Sequence, residues 1–199
     1  MGHRHSHLRP EQITDLVNGT EFTEEEINEW YKDFKRDCPS GHLGLKDFQK
    51  IYSYIFPGGD PTAFAEQVFR AFDVDKNGLI DFREFLCALS VTSRGTLEQK
   101  LAWSFRMYDA DEDNFISKSE LLSTITAIHK MIGPLYGETA WDLTSGVMNP
   151  TELADNIFKR LDKNEDGKLS KEEFIAGAKG DATVSRILRC DVTHGRPKS

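Results

Sequence analysis

The chain has 199 residues, 38% of them hydrophobic, and a formal net charge of -8. That length builds one or two cores but is short for a multi-domain enzyme, and the acidic balance argues against a nucleic-acid binder, whose footprint is a basic excess. Cys38, Cys87 and Cys190 form an odd set without C-x-x-C spacing, which points away from a disulfide framework or a zinc site and towards a reducing cytosol.

In chain order, the opening MGHRHSHLRP lacks the apolar stretch of a secretory signal, and no run of about 18 apolar residues exists to span a bilayer. Met1-Gly2-His3-Arg4-His5-Ser6 fits M-G-x-x-x-[ST], so Gly2 is the expected N-myristoylation site once the methionine is removed. One myristoyl chain gives only about 10⁴ M⁻¹ of membrane binding, so the neighbouring cations Arg4 and Arg9 matter. Read otherwise, His3, His5 and His7 are a candidate transition-metal site, and Met1-Gly2-His3 with a free amine has the shape of a copper or nickel clamp, which methionine removal and acylation abolish.

A repeat then dominates the chain. FDVDKNGLIDFREF from Phe72 recurs as YDADEDNFISKSEL from Tyr108 and LDKNEDGKLSKEEF from Leu161, with a weaker copy, RDCPSGHLGLKDF, from Arg36. Helical patterns flank each copy. Thr23 with Glu26 forms a capping box before Ile27, Trp30 and Phe34; Asp60-Pro61 opens a helix through Phe64, Val68 and Phe69; Thr96 with Gln99 and Asn149-Pro150 open two more. The stretch 90–95 is the expected hinge between two pairs of units.

A twelve-residue EF-hand loop takes hard oxygen ligands at positions 1, 3, 5, 9 and 12, a backbone carbonyl at 7, and a left-handed turn at 6. Loop 73–84 supplies Asp73, Asp75, Asn77, the Leu79 carbonyl, Asp81 and Glu84 around Gly78. Loop 109–120 supplies Asp109, Asp111, Asp113, the Phe115 carbonyl, Ser117 and Glu120, with Asn114 at the turn, where Asn is tolerated with some loss of affinity. Loop 162–173 supplies Asp162, Asn164, Asp166, the Lys168 carbonyl, Ser170 and Glu173 around Gly167. Loop 36–47 has Arg36 at position 1, Cys38 at 3, Ser40 at 5 and Asp47 at 12, so it is expected to hold no ion. Its expected role is pairing, with Leu43 facing Ile80 as Ile116 faces Leu169. Three Ca²⁺ ions are therefore predicted, with Mg²⁺ a candidate occupant at rest.

These residues assemble an all-α expectation: four helix-loop-helix units in two paired lobes with short β contacts between loops. The boundaries are an acylated basic arm and first helix over 1–20, an N-terminal lobe over 21–92, a C-terminal lobe over 93–182 carrying an insertion at 133–149, and a C-terminal helix and tail over 183–199.

The sequence resembles the neuronal calcium sensor family, which includes recoverin, frequenin, hippocalcin, neurocalcin and visinin-like proteins. The resemblance rests on Gly2 with Ser6, LRPE (8–11), EWYKDF (29–34), the CPSGHL loop (38–43), DFREF (81–85) and ALSVTSRGTLEQKL (88–101); the ending ILRCD (187–191) is similar to the hippocalcin and neurocalcin branch. The family implies a non-enzymatic, cytoplasmic sensor, peripherally attached to membranes. Its N-terminal lobe offers an apolar groove to a helix of a target protein, and its acyl chain can be exposed by Ca²⁺. Segment 133–149 departs from the family in being longer and more apolar, either packed on the second lobe as a lid or free to touch a partner. The rival readings are a passive Ca²⁺ buffer, which needs no acyl signal, and an enzyme, for which no nucleophile elbow or phosphate loop is present.

Overall fold

In the computed structural model, which describes residues 7–136 and 149–188, ten helices and four three-residue strands follow one another: α1 (Pro10–Gly19), α2 (Glu24–Asp37), β1 (His42–Gly44), α3 (Leu45–Ile55), α4 (Thr62–Phe72), β2 (Leu79–Asp81), α5 (Phe82–Arg94), α6 (Leu97–Tyr108), β3 (Phe115–Ser117), α7 (Lys118–Tyr136), α8 (Pro150–Leu161), β4 (Lys168–Ser170), α9 (Lys171–Gly180) and α10 (Ala182–Leu188). The chain is mostly helical, with two minimal antiparallel sheets, β1 with β2 and β3 with β4.

The helix starts follow the capping residues. Thr23 Oγ1 accepts the Glu26 N–H at 3.3 Å while the Glu26 carboxylate accepts the Thr23 N–H at 2.9 Å, a reciprocal box that satisfies donors left open by the first turn. Thr96 with Gln99 repeats it at α6, and Asn149 Oδ1 accepts the Glu152 N–H at 2.9 Å at α8. At α4 the helix begins one residue later than Asp60-Pro61 suggests: Pro61 sits at the cap and Asp60 accepts the Thr62 N–H at 3.1 Å.

Register within each lobe is set by one buried pair. Leu43 lies opposite Ile80 and Ile116 opposite Leu169. All four are buried, so a slip by one residue would turn them to solvent.

Two expectations need correction. Most of the stretch 90–95 expected as the hinge is the last turn of α5, which continues through Arg94 and stops only at Gly95, whose N–H donates to the Ser90 and Val91 carbonyls at 3.1 and 3.0 Å. The first residues of segment 133–149 are the last turn of α7, which ends at Tyr136. Residues 137–148 of that segment, Gly2 and the tail beyond residue 188 lie outside the described residues.

The lobes meet through α4, which packs on both α6 and α7. Phe72 stands edge-on to Trp103 with ring centroids 5.8 Å apart, and the Asp60 N–H donates to the Lys130 carbonyl at 3.0 Å.

Candidate calcium sites and the apolar groove

Each full loop folds by the same local rules. Position 4 is left-handed at Lys76, Glu112 and Glu165, and so is position 6 at Gly78, Asn114 and Gly167. Asn114 adopts φ 68°, close to the 81° of both glycines, so asparagine takes the turn that the loop needs. The position-6 amide then donates to the first carboxylate: Gly78 to Asp73 at 2.9 Å, Asn114 to Asp109 at 3.1 Å and Gly167 to Asp162 at 3.0 Å.

The position-12 glutamate closes each loop. Glu84 Oε1 accepts from Val74 and Asp75 and its Oε2 from Asp81; Glu120 takes Ala110, Asp111 and Ser117; Glu173 takes Lys163, Asn164 and Ser170. The same glutamates are the third residues of capping boxes with Asp81, Ser117 and Ser170, so one side chain both starts the exit helix and faces the loop centre.

The electrostatics suit a divalent cation. Oxygens of Asp73, Asp75 and Glu84 lie within 4.8 Å of one another, as do those of Asp109, Asp111 and Glu120. Asp109 Oδ1 and Asp162 Oδ1 are buried and accept no hydrogen bond, which is costly unless an ion supplies the missing partner. Burial, together with the charges of Glu120 and Asp113, pushes Asp109 above the usual carboxylate range. Burial works the same way on Glu120, but hydrogen bonds from Ser117, Ala110 and Asp111 outweigh it and hold Glu120 below that range. The Ser170 amide leads a similar set that lowers Glu173. An all-oxygen donor set of this kind fits Ca²⁺ or Mg²⁺ and not a soft metal. In loop 162–173 the amide of Asn164 is turned to Asp166 Oδ2 at 2.9 Å, with its Oδ1 accepting the Asp166 N–H.

Loop 36–47 is built differently. Arg36 points out to Asp33 at 2.8 Å and Asp37 at 3.0 Å, and Asp47 pairs with Lys50 at 3.0 Å instead of closing the loop. Cys38 is buried, and burial first, then the charges of Asp37 and Asp47, pushes its thiol up.

An open cavity of about 490 Å³ lies in the first lobe. Its apolar wall comes from Trp30 on α2, Phe48, Ile51 and Tyr52 on α3, Phe72 on α4, and Phe85 and Leu89 on α5. Phe64, Val68 and Phe69 of α4 are buried in the lobe's core, and α4 gives the groove only its last residue, Phe72. At one end Arg94 donates to the Glu21 carbonyl at 2.8 Å and to Glu26 at 2.9 Å, with its guanidinium 4.4 Å from the Phe22 ring centre. Nothing in the sequence pattern marks Arg94, because its partners lie some 70 positions away.

Comparison with known proteins agrees with this geometry. A family model for an EF-hand domain pair matches residues 98–179, and one for a single EF-hand domain matches 64–92. "Neuronal calcium sensor 1" of Lymnaea stagnalis is 48% identical over 192 residues, covering 96% of this chain and 98% of the relative. Recoverin of Homo sapiens is 40% identical over 92% of this chain and 90% of its own length, and visinin of Gallus gallus 38% over 94% and 95%. None of these three names belongs to the hippocalcin and neurocalcin branch that the ending ILRCD suggested. With three EF-hand loops that each line up oxygen groups at the ligand positions, and relatives aligned over nearly their whole length, the chain belongs to the neuronal calcium sensor family.

Proposed function

We propose that this protein is a calcium sensor that takes up three Ca²⁺ ions, at loops 73–84, 109–120 and 162–173, and couples them to reversible membrane and target-protein contact. Mg²⁺ is the candidate occupant of these loops at rest. The observation that carries the reading is the set of inward-facing carboxylate oxygens, two of them buried without a donor, beside an apolar groove left open in the same molecule. Family membership supports a sensing and non-enzymatic role. No helix among the described residues is long and apolar enough to cross a membrane, so the anchor in this reading is a myristoyl group on Gly2, with the protein cytoplasmic and peripherally attached. The target is an amphipathic helix laid along Trp30, Ile51, Tyr52 and Phe85. Calcium control of the groove runs through Glu84, since α5 begins at the loop that this residue closes and carries Phe85 and Leu89 into the wall.

Sedimentation of acylated protein with liposomes, in calcium and in chelator, tests the membrane part. An apolar fluorescent probe titrated in wild type and Glu84→Gln tests the groove. Calcium binding without any rise in probe signal or sedimentation would leave a passive buffer as the better description.

A further inference from the structure

We infer that Lys168, in the fourth loop, sets the calcium affinity of the third. Position 7 of an EF-hand loop gives its backbone carbonyl to the ion, so its side chain is free to go elsewhere. In loops 73–84 and 109–120 that side chain is Leu79 or Phe115, without charge. In loop 162–173 it is a lysine, and pairing of β3 with β4 sets Lys168 opposite Ser117. From there its ammonium reaches across the sheet to Asp113 Oδ2 at 3.3 Å, with Nζ 5.2 Å from the centre of the Phe115 ring. A carboxylate and an aromatic face thus hold the cation from two sides.

Asp113 is the position-5 ligand of the third loop. Its other oxygen already accepts the Phe115 N–H at 2.8 Å, so Lys168 occupies the remaining one. Among the described residues the equivalent groups elsewhere meet no cation: Asp166 accepts from the Lys168 N–H and the neutral Asn164 amide, and Asn77 accepts the Leu79 N–H. An ion ligated at the usual 2.3–2.6 Å from Asp113 would stand on the order of 6 Å from the ammonium. The two like charges repel, and the carboxylate is shared between them. By ligand count, loop 109–120 offers four carboxylates and loop 162–173 three; Lys168 offsets one of the four and brings the two sites closer in charge. Both partners are about half exposed, so solvent and salt moderate the effect.

This inference rests on reading loop 109–120 as a calcium site, and the experiment separates the two. The full-length protein, as wild type, Lys168→Met and Lys168→Arg, is titrated with Ca²⁺ while the amide signals of Gly78, Asn114 and Gly167 are followed by nitrogen-15 NMR. Each of those amides donates to the first ligand of its own loop and so reports one site. In Lys168→Met the Asn114 midpoint should fall about two- to fivefold, the range for an exposed charge pair, with the Gly78 midpoint unmoved. Lys168→Arg should keep the wild-type midpoint, and the difference between wild type and Lys168→Met should shrink at 0.5 M salt. An Asn114 midpoint unchanged in Lys168→Met, or lowered equally in Lys168→Arg, would overturn the inference while leaving the site standing. No calcium response at Asn114 in any of the three proteins would overturn the site and the inference with it.

Discussion

Substituting Gly59 by alanine should loosen the contact between the lobes. A Cβ built there lies 1.9 Å from the Met131 carbonyl oxygen and 2.7 Å from its carbon, both backbone atoms of α7. Ordinary contact begins near 3.4 Å, so the segment must retreat by about 1.5 Å, enough to break the 3.0 Å bond from the Asp60 N–H to the Lys130 carbonyl. Overpacking of this kind costs about 1–3 kcal/mol and the lost hydrogen bond about 1 kcal/mol, offset by about 0.5 kcal/mol because alanine restricts the unfolded chain. The net loss is therefore about 1.5–3.5 kcal/mol. With a urea slope of about 2–3 kcal/mol per molar for a chain of this size, the unfolding midpoint should drop by roughly 1 M. The assay is urea unfolding followed by tryptophan fluorescence at one fixed calcium concentration, since bound ion shifts apparent stability. Gly58→Ala is the control: Gly58 has φ 96° and nothing within 4 Å, so its substitution brings backbone strain without collision. A Gly59→Ala midpoint within about 0.2 M of wild type, or one no lower than that of Gly58→Ala, would refute the reasoning.

Glu84→Gln, Glu120→Gln and Glu173→Gln should each reduce the calorimetric calcium count from three to two, and a fourth ion or an unchanged count would contradict the ligand assignment. Gly2→Ala should leave calcium binding by the loops intact and abolish most liposome sedimentation; an equal pellet in the variant would place the membrane contact elsewhere. Glu26 is held down to about 2, first by its hydrogen bond to Arg94 and then by the Thr23 amide. Because its folded value is depressed, the pairing contributes fully above the ordinary carboxylate range and is lost as pH falls from there towards about 2. Arg94→Met should raise the Glu26 midpoint, read by carboxyl carbon-13 NMR, while an unmoved midpoint would show that the guanidinium is not the cause.

What the sequence determined is what acts within a dozen residues. Loop chemistry and capping boxes were legible because each depends on fixed short spacings: an oxygen every second residue, a left-handed turn at the sixth, a glutamate at the twelfth; the Leu43–Ile80 and Ile116–Leu169 pairs were legible only because each member holds the same place, the eighth, in its own repeat. The different build of loop 36–47 was legible for the same reason, since Arg36 and Cys38 occupy positions where the other loops carry oxygen ligands, and the structure turns Arg36 out to Asp33 and Asp37. Periodicity also marked the aromatic faces of the first lobe, but it could not sort core from groove. Phe64 and Phe85 look alike along the chain, and only the packing of α2, α3 and α5 leaves the second on an open wall while burying the first. The long-range polar contacts were equally out of reach: Arg94 on Glu26, Asp60 on the Lys130 carbonyl, and Lys168 on Asp113 join residues more than fifty positions apart. Such pairs leave no local pattern, because the closure of the two sheets and the docking of α4 on α6 and α7 decide which side chains meet.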